Sequence, residues 1–104
     1  MEKTRTTEYR RIVAEHPGYM NAIEQLGHVI RQDGPIDDKT ANLIQLAGAV
    51  AVHSPGAIQS HVRRAADAGA SRREIHQAIM LLTSFLGLPS VIAALSSADE
   101  VLEQ

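Results

Sequence analysis

Apolar residues in this chain recur at spacings of three and four, and Pro or Gly cuts the runs at short intervals. That pattern permits short amphipathic helices and little else. The first segment, Thr7 to Glu15, is polar apart from Ile12 and Val13 and stops before His16-Pro17-Gly18. The second, Tyr19 to Arg31, places Met20, Ile23, Leu26 and Ile30 on one stripe and ends at the turn Asp33-Gly34-Pro35. A third starts at Asp37 or Asp38, either of which can cap it. It carries Leu43, Leu46, Ala47, Val50 and Ala51 and stops near His53. Ser54 can cap a fourth helix with Pro55 at its first position, running to Ala68. Gly69 fits the left-handed position beyond its end.

Ser71-Arg72-Arg73-Glu74 reads as a capping box. It opens a fifth helix through Ile75, Ile79, Leu82 and Phe85, expected to end at Gly87. Pro89 then suits the first turn of a sixth, with Val91, Ile92, Leu95 and Leu102. The expectation is an all-α fold of about six helices in one domain over 1–104. Composition agrees, since the chain has only Tyr9, Tyr19 and Phe85 as aromatics against fifteen alanines. Such a core favours helices over strands.

The segment Ala78 to Leu88 is apolar on most sides, broken by Thr83 and Ser84. A helix apolar all round must be buried on more than one side, and a chain of 104 residues has little left to surround it. The expectation is a subunit interface, with Leu82 in it, and hence a homo-oligomer. The bland alternative is a central helix covered by its own chain.

Several function classes are excluded at once. The cysteine count is zero, so thiol redox chemistry, disulfides and thiolate metal sites have no means here. The net charge of −2 gives no polyanion-binding footprint. No apolar run approaches the roughly 20 residues of a membrane span, and the charged N-terminus lacks a leader's apolar core. The expectation is a soluble cytoplasmic protein with no membrane partner. There is no GxGxxG, P-loop or HExxH motif, and His16, His28, His53, His61 and His76 never pair at i, i+4, so no metal site is assigned.

The candidate site centres on the third and fourth helices. Asn42, Leu46, Ala49 and His53 share one side of the third helix at steps of four, three and four. His53 and His61 flank Ser54-Pro55-Gly56, and the expectation is that they converge on one pocket. His61 is the candidate proton donor or acceptor. His53 and Arg64 are candidate substrate-binding residues, for a small anionic molecule. The bland alternative makes both histidines structural and the arginines a solvated face. A rival reading takes Ala65 to Ile75 as a helix-turn-helix, with Ser71, Arg72, Arg73 and His76 toward DNA. The net acidity and the apolar run after Gln77 weigh against nucleic acid.

From Ile36-Asp37-Asp38-Lys39-Thr40-Ala41-Asn42-Leu43-Ile44 through Ala47 to Ala51, the order of residues is similar to that of a known family. Ser60-His61-Val62-Arg63-Arg64-Ala65, Ala68 to Ile75, Gly87-Leu88-Pro89 and Ala93-Ala94 continue it. The sequence resembles the carboxymuconolactone decarboxylase family, which includes the alkylhydroperoxidase D-like proteins, over about Gln32 to Leu102. The resemblance implies an all-α fold assembling as trimers or hexamers. In the peroxidase branch the site is Cys-x-x-Cys-x-x-x-His with a preceding glutamate. Those positions fall on Ser54, Ala57, His61 and Asn42, so only the histidine is retained, and the resemblance implies Ser54 and Asn42 as further substrate-binding residues. Thiol peroxidase activity is therefore excluded for this chain. The decarboxylase branch implies cofactor-independent chemistry on a lactone carboxylate, a lyase reaction with His61 as proton donor. The alternative is a catalytically silent member, a ligand-binding or structural oligomer.

Overall fold

The computed structural model describes residues 7–103. They hold seven helices and no strand, in the order α1 (Thr7–Glu15), α2 (Pro17–Gln32), α3 (Asp38–Ala51), α4 (Pro55–Asp67), α5 (Arg72–Met80), α6 (Thr83–Leu86) and α7 (Leu88–Leu102). The backbone divides into two compact units, residues 1–37 and 38–104.

The first unit is the hairpin of α1 and α2. Only His16 separates the two helices, and its N–H donates to the Ile12 carbonyl at 2.8 Å. The second helix begins two residues earlier than its apolar stripe suggests. Proline needs no N–H partner in a first turn and presets the helical φ, so Pro17 starts the helix instead of delaying it. No described residue of either helix is buried.

The second unit holds the core. Leu46 and Val50 of α3, Ile58, Val62 and Ala65 of α4, Ile75 and Ile79 of α5, and Val91, Ala94 and Ala98 of α7 form one buried cluster. No aromatic belongs to it. Alanines at 65, 94 and 98 let the helices approach closely. The α3 face turned inward is that of Asn42, Leu46, Ala49 and Val50, so Ala51 of the expected stripe lies outside it.

Local chemistry fixes the ends. The Ser54 hydroxyl accepts the Ala57 N–H at 3.3 Å, capping α4. Gly69 has φ +101°, the left-handed turn after that helix. At α5 the Glu74 N–H donates to the Ser71 hydroxyl at 3.0 Å, and the Ser71 N–H donates to the Glu74 carboxylate at 2.8 Å. Lys39 of α3 reaches the other Glu74 oxygen at 2.9 Å, joining α3 to the start of α5.

The expected fifth helix does not run unbroken to Gly87. It stops at Met80, and α6 follows. The Thr83 hydroxyl donates to the Met80 carbonyl at 2.7 Å, and the Leu82 N–H closes a tight three-residue turn on Ile79. A threonine that bonds the preceding turn offers the backbone an alternative to the α-helical ladder. The break splits the apolar run into two faces. Leu82 and Leu86 pack on the core, whereas Leu81 is 65% and Phe85 81% exposed. Leu82 is thus partly buried against the core of its own chain, and the outward apolar face belongs to Met80, Leu81, Phe85 and Leu88.

Candidate functional site

The turn between α3 and α4 gathers most of the residues singled out from the sequence. After Ala51 the His53 N–H bonds the Val50 carbonyl at 2.9 Å, and His53 itself takes φ +58°. Histidine enters the left-handed region more readily than most L-residues, though glycine is the unstrained choice there. The turn carries the His53 side chain to an exposed position, directly before the Ser54 cap.

His53 lines a cleft of about 290 Å³ with Val50, Pro55 and Ile58 and, across from them, Pro89, Ser90, Ala93, Ala94 and Ser97 of α7. All of these lie in the second unit. The α7 wall follows helical spacing, because positions 90, 93, 94 and 97 share one face.

The other singled-out residues occupy different ground. Asn42 is 3% exposed, and its Nδ2 donates to the Asp38 carbonyl at 2.8 Å and to the Asp38 carboxylate at 3.3 Å. Both acceptors fix the amide orientation, which leaves Oδ1 buried with no hydrogen-bond partner among the described residues. Ser54 is committed to its cap. His61 and Arg64 are half-buried on α4, and each takes part in an interaction of its own.

His53 and His61 do not share the cleft, since His61 is not in its lining. Gln59 points to α7, its Nε2 donating to the Glu100 carboxylate at 2.8 Å and the Ser97 carbonyl at 3.4 Å. His61 stands three residues after the lining residue Ile58 and is half-buried, outside that lining.

Sequence reasoning did not reach the α7 wall or the partners of α5. His76 Nε2 lies 2.7 Å from Oδ1 of Asp99, and Arg72 lies 3.3 Å from Asp99 and 3.1 Å from Glu103. The hydrogen bond from His76 is the main cause that holds the Asp99 carboxyl below its ordinary range. The Ser71 N–H, and after it Lys39, does the same for Glu74. Ser71, Arg72 and His76 thus serve the cap and the α5–α7 contact, the very side chains a helix-turn-helix would turn toward DNA. Among the described residues no group of three His, Asp or Glu could hold a metal ion. No described helix is long and apolar enough to cross a membrane.

Residues 17–100 match the model of the carboxymuconolactone decarboxylase family. Among solved structures, a carboxymuconolactone decarboxylase family protein from Legionella pneumophila, in its apo form, is similar at 29% identity and a TM-score of 0.76. That likeness covers 93% of this chain and 87% of the other. A Burkholderia xenovorans LB400 protein described as a carboxymuconolactone decarboxylase shares the fold at 20% identity and a TM-score of 0.70, over 95% of this chain and 80% of that one. No curated protein matches.

Proposed function

The chain belongs to the carboxymuconolactone decarboxylase family, and from that membership we propose cofactor-independent chemistry of decarboxylase or lactone type on a small carboxylate. The supporting observation is which chemistry the site retains. The chain has no cysteine, and the hydroxyl at position 54 caps a helix, so neither a thiol nor a free serine nucleophile stands at the α4 start. The imidazole of His61 remains. In this reading the bond to the carboxylate carbon breaks and its electron pair delocalises into a conjugated carbonyl. The carbon then takes a proton from His61, which water restores. The working form is a cytoplasmic homo-oligomer, a trimer or hexamer, whose contacts use the outward apolar face of α5 to α7.

A second reading has its own observation. The cleft lies at His53 and α7, while Asn42 is locked to Asp38. This favours a catalytically silent member that binds a small ligand. Carbon dioxide release from a panel of unsaturated lactone carboxylates separates the two. Turnover that disappears in His61→Ala, with the helical content intact, supports the lyase. No turnover across the panel, with ligand binding retained, supports the silent member.

A further inference from the structure

We propose that the cleft beside His53 is a binding site for a compact organic acid, separate from His61, with α7 supplying its specificity. Its walls are of two kinds. Val50, Ile58, Ala93 and Ala94 are apolar, and His53, Ser90 and Ser97 bring the polar side chains. Each of those three can donate a hydrogen bond. Among the described residues no carboxylate lines the cleft, and the ionisable group they bring to it is the His53 imidazole. Glu100, a turn beyond Ser97, is outside the lining and holds the Gln59 amide at 2.8 Å. An anion therefore enters without like-charge repulsion from the walls, and the His53 imidazole N–H is a donor for it.

Size narrows the ligand further. A volume of about 290 Å³ equals the share of about ten water molecules, at the small end of ligand sites. Ser90 and Ser97 stand two turns apart, about 10 Å along the helix. The space takes a single ring or a short chain with one acid group. Ala93 and Ala94 between the serines keep this wall low, so a larger side chain at 93 would fill the cleft.

The site stands whether or not His61 protonates a substrate, and the test keeps the two apart. The 15N-labelled full chain is titrated with sodium benzoate, and with benzyl alcohol as the uncharged counterpart, while amide shifts are followed by NMR. Saturable benzoate shifts are expected at Ser90, Ala93 and Ser97, with weaker binding of benzyl alcohol. In His53→Gly, which keeps the left-handed turn, benzoate affinity should fall by about tenfold, the scale of one hydrogen bond to a charged group. In Ala93→Phe, at an exposed position, the shifts should vanish while the spectrum stays dispersed. His61→Ala should bind as the parent does. Absence of saturable shifts on α7, full affinity in both cleft variants, or loss of binding in His61→Ala overturns the proposal. Equal affinity for benzyl alcohol overturns the assignment of an acid.

Discussion

The imidazole of His76 holds the carboxylate of Asp99 at 2.7 Å, and Arg72, one turn earlier on α5, approaches the same oxygen at 3.3 Å. Two cations or donors on α5 thus converge on one acid of α7. The sign of the pH effect follows from the direction of the Asp99 shift. Its carboxyl titrates lower in the folded chain than in the unfolded one. The contact therefore stabilises fully above the ordinary aspartate value of about 3.9, and this is lost as pH falls through the lower folded value. The pair is partly exposed, so Asp99→Asn should cost only about 0.5–1 kcal/mol at pH 7. Urea unfolding of parent and variant should show that gap at pH 7 and close it in strong acid. A gap that widens with acid would mean Asp99 is not the anion of this contact.

Local signals were legible in the sequence because local chemistry decides them. Ser54, Gly69 and the Ser71–Glu74 box stand where capping rules put them, since each acts within four residues. The break after Met80 was less visible. It depends on one Thr83 hydroxyl outcompeting a strongly apolar helical run. The cleft was legible only in half. His53 stood out by type and position, but its opposite wall lies some forty residues on, in serines and alanines that carry no motif. Gln59, which orients α4 against α7, has a partner no spacing rule identifies.

The left-handed turn at His53 sets a backbone test. An L-residue in that region costs roughly 1–2 kcal/mol. His53→Gly removes the strain and should leave stability unchanged or raise it. His53→Val, with a branched β-carbon at φ +58°, should lower it by about 1 kcal/mol or more. Thermal unfolding of the three proteins gives the order. A valine variant as stable as the glycine variant would show that the turn relaxes to an ordinary conformation.

The α5–α6 break separates folding from association. Leu82 is partly buried against the core, so Leu82→Asp should destabilise each chain by about 2 kcal/mol through lost packing and a half-desolvated charge, and assembly would weaken as a consequence. Leu81 and Phe85 face outward. Leu81→Lys with Phe85→Lys should leave the helical signal and cooperative unfolding in place, while sedimentation shows a smaller species. An unchanged sedimentation coefficient would place the oligomer contact elsewhere, and the apolar face would then need another cover.

Asn42 tests what kind of interior the buried face of α3 lines. Its amide hydrogens are satisfied by Asp38 and its oxygen is buried without a partner. Asn42→Leu keeps the branching and removes both the bonded and the unbonded groups but adds volume at a buried site, so its cost should be about 1–3 kcal/mol. Asn42→Asp keeps the shape but replaces the donor with an acceptor beside the Asp38 carboxylate, 3.3 Å away in the parent. An uncompensated buried charge costs about 3–5 kcal/mol, so the aspartate should be far worse at pH 7. It should recover in acid, because a carboxyl raised by burial and a like charge takes up a proton on folding. Chemical unfolding at pH 7 and pH 4 reads both effects. An Asn42→Asp protein as stable as the parent at pH 7 would mean that this interior is wet. A polar pocket on the His61 side of α4 would then be the place to look for the substrate.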